Sequence, residues 1–313
     1  MGQIVLPEIS IDSLPPALVS ALADSLGARP ASAAVIGGGY TPALRLRVVL
    51  EDGRSIFVKA ATGDLTAVWL RTEAHIYEAL AGASFLAERL AWHDQEGLTC
   101  LVLEDLSAAH WPPSWSPRQI DQVLETLDAI HASRPRIPFP LPPIEDEPDF
   151  ASWHRVADHP EPFLSLGLCS AEWLQRALPT LIAAERAAPL GGDDLLHLDV
   201  RSDNICFAPD GRTVFVDWNW SSRGNGELDI AGWLSSLHSE GGPRPETILP
   251  DAGPFAALFS GFWAFHAGTP PPSGAPRVRD VQKSQLGVAL PWAVRALALP
   301  PLDGPIAFLP PRR

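Results

Sequence analysis

His197-Leu198-Asp199-Val200-Arg201-Ser202-Asp203-Asn204, followed by Val214-Phe215-Val216-Asp217-Trp218, carries more information than any other part of this 313-residue chain. An Asp precedes an Asn by five residues, and a second Asp closes an apolar run. This is the oxygen-donor set that phosphoryl transfer requires. One carboxylate orients and deprotonates an attacking hydroxyl, while an amide oxygen and a second carboxylate hold Mg²⁺ on nucleotide phosphates. At ordinary residue frequencies a His-x-Asp-x4-Asn match arises by chance in roughly 1% of chains of this length. Taken singly, Asp199, Asn204 and Asp217 read better as turn residues. Together they point to one chemistry.

The combined pattern resembles the aminoglycoside phosphotransferase family, which shares the protein-kinase fold. The resemblance implies an α+β, two-lobed protein-kinase-like architecture, with a small antiparallel-sheet N-lobe over residues 1–105 and a larger, mainly helical C-lobe over 106–313. It implies Asp199 as base, Asn204 and Asp217 as metal ligands, and ATP or GTP with Mg²⁺ as cofactors. His197 and Asp229 become supports of the catalytic loop, Asp229 through the family's Gly-x4-Asp-Leu-Ala segment, seen here as Gly224 to Ala231. Two departures stand out. Leu198 occupies the usual Gly position, which an extended backbone would accommodate. Arg201 occupies a frequent His position, and by analogy with the Lys of protein kinases it would touch the transferring phosphoryl group.

The amino-terminal third supplies matching parts in order. Leu44-Arg45-Leu46-Arg47-Val48-Val49-Leu50 alternates apolar and basic residues, the period of a half-buried strand. Asp52-Gly53 marks a hairpin before Ser55-Ile56-Phe57-Val58-Lys59-Ala60. Upstream, Gly37-Gly38-Gly39 offers backbone N–H groups to phosphate oxygens, with Gly38 and Gly39 as the binding pair, although three glycines alone also make a plain turn. The P-loop sequence GxxxxGK[ST] is missing. Lys59 sits on an apolar strand, where an unpaired ammonium is costly to bury, so it needs an anion. A helix read over Ala67 to Leu80 provides Glu73 as the matching partner, with Glu78 as competitor. Glu104, Asp105 and Leu106 end an apolar strand at the family's interlobe connector, whose main chain reads the purine edge.

Further along, Ser116-Pro117 starts a helix running to Ser133, in which His131 reads as a packing residue. Pro and acid clusters between Arg134 and Phe163 argue against one continuous helix there, leaving a flap over the acceptor or a solvated loop. Ser170 caps another helix through about Ala188. Ile205-Cys206-Phe207 and Val214-Phe215-Val216 read as a hairpin turning at Pro209-Asp210-Gly211.

Composition bounds the rest. The charge balance, 23 basic against 37 acidic residues, gives −14 and disfavours nonspecific nucleic-acid binding. Three scattered cysteines without a CxxC pair suit a reducing, cytoplasmic compartment. The apolar stretch from Leu286 to Leu302 is interrupted by Pro291, Arg295, Pro300 and Pro301, which argues against a membrane span. Eleven tryptophans are many; Trp111, Trp115, Trp153 and Trp220 flank the proposed site in sequence, and core packing is their default role. The expectation is a monomeric or homodimeric enzyme whose partner is a small hydroxyl-bearing acceptor, an aminoglycoside-like one favoured. A nucleotide-binding module without catalysis is the alternative that Leu198 keeps open.

Overall fold

The computed structural model describes residues 4–37, 42–272 and 274–304. Gly38 and Gly39 lie outside the described residues. Two compact units arise, one from Met1–Pro112, Pro135–Pro140 and Ser202–Ser221, the other from Pro113–Arg134, Leu141–Arg201 and Ser222–Arg313.

The first unit is built on a six-stranded antiparallel sheet. Its elements are β1 (Ile4–Ile9), α1 (Pro16–Leu26), β2 (Pro30–Gly37), β3 (Leu44–Leu50), β4 (Ser55–Ala60), α2 (Asp64–Ala79), β5 (Arg89–Gln95) and β6 (Leu98–Glu104). The strands run in the order β1-β2-β3-β4-β6-β5. The β3–β4 hairpin forms because Asp52 accepts the Arg54 N–H at 3.0 Å and Gly53 takes φ 86° without a Cβ clash. Side chains alternate across a strand, and β4 uses this to separate two tasks. Ile56, Val58 and Ala60 enter a core with Leu18 and Leu22 of α1 and with Leu46 and Val48 of β3. Lys59 falls on the opposite face, registered between Arg45 of β3 and Leu101 of β6.

Helix α2 begins three residues before the start read from sequence. Thr66 explains this: its hydroxyl accepts the Gly63 N–H at 3.1 Å and stabilises an earlier first turn. Thr66, Leu70, Glu73, Ala74 and Tyr77 form its buried stripe, whereas Glu78 is exposed. A two-stranded ribbon, Ile205–Phe207 with Thr213–Phe215, completes this unit, and Phe215 N–H donates to the Phe85 carbonyl at 2.8 Å.

The second unit is helical: α3 (Pro117–His131), α4 (Trp153–Asp158), α5 (Glu161–Leu164), α6 (Ala171–Arg186), α7 (Glu227–Ser239), α8 (Pro245–Ile248), α9 (Gly253–Ala267) and α10 (Val278–Ala296). Asp194–Leu196 and Ser222–Gly224 pair antiparallel beside them. Helix α9 is apolar nearly all round and forms the centre, packed by α10, α6 and α4. Trp153, fully buried, ties α4 to it through Nε1–H donation to the Ala257 carbonyl at 2.9 Å. The proline-rich stretch 134–163 resolves into short helical turns, with no continuous helix. No described helix is long and apolar enough to cross a membrane.

Glu185 of α6 is 2% exposed, and its Oε2 accepts N–H groups of Ser152 at 3.1 Å and Trp153 at 2.9 Å. Burial pushes its carboxyl up to about 7, against the lowering effect of those N–H donors. An acid whose folded pKa exceeds its unfolded value favours the folded state below the unfolded pKa of about 4.5, and that contribution is lost as pH rises through 7. The difference corresponds to roughly 3 kcal/mol. Glu185→Gln and the parent should therefore be close in stability at pH 4.5, with the variant gaining as pH rises to 8. Urea unfolding at both pH values checks this; a constant difference contradicts it.

Candidate active site

Lys59 is the centre of the site. Its ammonium lies 2.7 Å from Glu73 Oε2 and 2.7 Å from Asp217 Oδ1, and the residue is only 6% exposed. Strand β4 delivers the Lys on the face away from the α1 core. Helix α2 brings Glu73 because that residue belongs to its buried stripe, and the ribbon 205–215 brings Asp217 at its exit. Burial opposes the ammonium, but Asp217 and Glu73 outweigh it and hold the Lys59 pKa above the ordinary lysine value. Burial also pushes the Glu73 carboxyl up, with Lys59 pulling it back and Asp217 adding to the rise.

Asp217 adopts φ 70°, ψ 59°, a left-handed conformation that Asp tolerates better than most residues. It turns the chain sharply out of the strand. Asn204 sits at the same end of the ribbon, just before its first strand, 5% exposed, and its carbonyl accepts the Val216 N–H at 3.0 Å. The two residues, thirteen apart in sequence, thus occupy neighbouring strand ends. Oriented to satisfy its neighbours, the Asn219 amide donates to Asp217 Oδ1 at 2.5 Å and accepts Trp220 Nε1–H at 3.2 Å.

A carboxylate and an amide are hard oxygen donors and fit Mg²⁺, which commonly takes one or two protein ligands and fills its shell with phosphate oxygens and water. Lys59 adds the positive charge that a polyphosphate requires. A recess beside these groups is lined by Ala43, Lys59, Thr66, Trp69, Leu70, Asp217 and Asn219. Among the described residues, no cluster of three or more His, Cys, Asp or Glu could hold a metal without such help.

At the connector, side chains do more than the sequence suggests. Glu104 makes two contacts with Arg212, at 2.9 and 3.0 Å, and accepts the Glu88 N–H at 2.9 Å. Asp105 accepts from Arg47 Nε at 2.8 Å, Ser55 Oγ at 2.5 Å and Ser107 N–H at 2.9 Å. Burial would raise the Asp105 carboxyl, but the Ser55 and Ser107 donors and the Arg47 charge hold it below the usual value. Both acids anchor the main chain from Glu104 to Leu106.

The second unit holds Asp199, Arg201, His197 and Asp229. Asp229 lies on α7, 2% exposed, and accepts three donors: His197 N–H at 2.9 Å, Leu198 N–H at 2.7 Å and a His131 Nε2 contact at 3.1 Å. Asp229 therefore fixes the backbone entering Asp199. His131 reaches Asp229 because Gly226 leaves room; a Cβ there would stand 2.4 Å from His131 Nδ1. His131 is thus a hydrogen-bonded member of this network as well as a packing residue, which the helical pattern around it did not disclose. Asp199 N–H donates to His197 Nδ1 at 3.2 Å, and Arg201 Nε lies 3.3 Å from Asp199 Oδ1.

The backbone at Leu198 is not extended. Its φ is 62°, in the left-handed region that favours Gly, and the Asp229 hydrogen bond holds it there. A β-branched residue is worst in this region. Leu198→Gly should consequently be more stable than Leu198→Val, by about 1–2 kcal/mol. Ranking by apolar burial would place Val above Gly. Chemical denaturation of the two variants distinguishes the orders, and a more stable Val variant overturns the strain argument.

Residues 32–256 match the model of the phosphotransferase enzyme family. No curated protein sequence matches the chain. Among solved structures, a choline kinase from Streptococcus pneumoniae superposes with TM-score 0.56 at 17% identity, covering 90% of this chain and 98% of that one. The GDP complex of an aminoglycoside 2'-phosphotransferase superposes with TM-score 0.58 at 12% identity over 90% and 97%. An aminoglycoside phosphotransferase bound to ADP and hygromycin B gives TM-score 0.54 at 15% identity over 90% and 98%. At these identities the likeness establishes a kinase-like fold.

Proposed function

The chain belongs to the phosphotransferase enzyme family, and on that premise we propose that it is a Mg²⁺-dependent small-molecule kinase, moving the γ-phosphate of ATP or GTP to a hydroxyl of a small polar acceptor. The observation that carries this reading is the buried Lys59 ammonium held 2.7 Å from both Glu73 and Asp217. Such a cation, anchored by one acid and aimed by another, is the phosphate clamp of a phosphoryl-transfer site.

In this reading Lys59 holds the nucleotide phosphates and Glu73 fixes its direction. Mg²⁺, when bound by Asn204 and Asp217, neutralises phosphate charge. Asp199 takes the proton of the acceptor hydroxyl, and Arg201 offers positive charge to the phosphoryl group in transit. The main chain of Glu104, Asp105 and Leu106 reads the purine edge, while Gly38 and Gly39 give backbone N–H groups to phosphate oxygens. His197 and Asp229 keep the backbone before Asp199 in place. Residues 1–105 act as the nucleotide lobe and 106–313 as the acceptor lobe, in the cytoplasm. Alignment and charge neutralisation supply the rate.

The neighbours include a choline kinase, and aminoglycoside phosphotransferases bound to GDP or ADP. These names support a hydroxyl-bearing small molecule as acceptor, an aminoglycoside-like one included, and a purine nucleotide as donor. Nucleotide labelled in the γ-phosphate, incubated with a panel of hydroxyl-bearing metabolites and antibiotics, tests the reading. The expected result is label in an acceptor only when Mg²⁺ is present. Nucleotide binding without transfer to any acceptor would instead favour a binding module, the reading that Leu198 supports.

A further inference from the structure

Strand β3 places a second cation beside the clamp. Arg45 is registered directly opposite Lys59 across the β3–β4 pair, so both side chains leave the sheet on the face away from the α1 core. Side chains paired in this way start about 4.5–5.5 Å apart at Cβ. Arg45 Nη1–H donates to the Ala43 carbonyl at 3.2 Å, and Ala43 lines the recess together with Lys59 and Asp217. The guanidinium therefore stands at the edge of that recess. Arg47, two residues further along the same face, is drawn instead to Asp105 at 2.8 Å. All of these residues belong to the sheet-based unit.

Like charges directly opposite each other destabilise a sheet, so this pairing calls for a compensating anion. Glu73 and Asp217 compensate Lys59. Once Asp217 is engaged by Mg²⁺, Lys59 keeps a single acid while Arg45 still faces it across the strands. A phosphate oxygen between the two cations restores the balance. The charge count agrees. One ammonium and two carboxylates leave the clamp with a negative excess that repels a polyphosphate, and Arg45 cancels it. Its charge is felt there: behind burial and the two acids, Arg45 lowers the Lys59 pKa, and it draws the Glu73 carboxyl down against the stronger effect of burial. A planar guanidinium also matches phosphate geometry, which a second Lys would not.

We propose that Arg45 is a second phosphate-binding residue, which brackets the phosphates of the bound nucleotide together with Lys59. The inference rests on the kinase reading above and adds a side chain to its nucleotide site. A charge-assisted contact of this kind changes affinity by roughly 10–100-fold.

Calorimetric titration of the full chain with Mg–tripolyphosphate, which has no purine, and with the Mg²⁺ complex of a non-hydrolysable ATP analogue tests it. Arg45→Met should bind both ligands about 10–100-fold more weakly than the parent, and Arg45→Lys should recover part of the loss. Arg54→Met removes the same charge at the hairpin turn, where Asp52 holds the guanidinium at 2.7 Å, and should bind both ligands as the parent does. Thermal melts verify folding; Arg45→Gln, with the same loss expected, replaces the Met variant if that one melts early. Parent-like affinity of the Arg45 variants for tripolyphosphate overturns the proposal. So does a loss confined to the ATP analogue, which assigns Arg45 to the purine, or an equal loss in Arg54→Met, which assigns the effect to net charge. A parent that binds neither ligand defeats the kinase reading itself, whereas a parent that binds both with Arg45 indifferent defeats only this inference.

Discussion

Asp199→Ala is expected to lower kcat by about a thousandfold, within the 10²–10⁴ range that a positioned base contributes, while leaving the Kd for Mg–nucleotide close to that of the parent. The argument is one of roles. Asp199 is the group proposed to act on the acceptor hydroxyl, and those proposed to hold the nucleotide are Lys59, Glu73, Asn204 and Asp217. Its backbone is fixed from behind by Asp229 through the N–H groups of His197 and Leu198, at 2.9 and 2.7 Å. Truncation at Asp199 therefore removes a carboxylate without releasing the segment that carries it. Steady-state kinetics with calorimetric nucleotide titration give both numbers. Unchanged turnover rejects Asp199 as the base, and a parallel collapse of nucleotide affinity rejects the division of roles.

Lys59→Met should have the largest effect on folding. Glu73 is 1% exposed and depends on the ammonium for its charge balance. Removing one partner of a buried ion pair leaves the other uncompensated, typically costing about 3–5 kcal/mol. Asp217, 2.7 Å from the same ammonium, adds repulsion toward Glu73 once the cation is gone. Adding Glu73→Gln to Lys59→Met removes the stranded charge, so the double variant should recover a good part of the lost stability. Neither protein should bind nucleotide well. Urea denaturation of the two single variants, the double variant and the parent measures the coupling. Strict additivity would show that the pair does not interact in solution.

Much of this architecture was legible in the sequence because it is written in local periods. The alternation in Leu44–Leu50 and Ser55–Ala60, with Asp52-Gly53 between them, spells a twisted hairpin, and the structure forms it over those residues. The ribbon 205–215 was readable for the same reason, shifted by one residue in its second strand. What local pattern could not carry is long-range polar pairing. Nothing near Asp105 announces that Arg47 and Ser55 will hold it, since those partners lie 58 and 50 residues away. His131 and Asp229 are separated by 98 residues, and only the close approach of Gly226 makes their contact sterically open. Leu198 is the reverse case. An extended backbone was the natural expectation for a bulky residue, but the Asp229 carboxylate imposes a left-handed turn that the side chain would not choose.

The tryptophans divide along similar lines. Trp153 is fully buried, in keeping with a packing role, whereas Trp220 remains half exposed beside Asp217. Amino-acid type alone does not separate the two. Their neighbours do: Trp153 is enclosed by the helices around α9, and Trp220 projects from a short turn after a left-handed Asp.

Calorimetric titration of the parent and of Asp217→Asn with a non-hydrolysable ATP analogue, with and without Mg²⁺, tests the central claim most directly. The account predicts Mg²⁺-dependent binding to the parent and at least about a hundredfold weaker binding to the variant, because the amide cannot supply the charge the metal needs. Equal binding by both proteins, or binding by the parent indifferent to Mg²⁺, would contradict it.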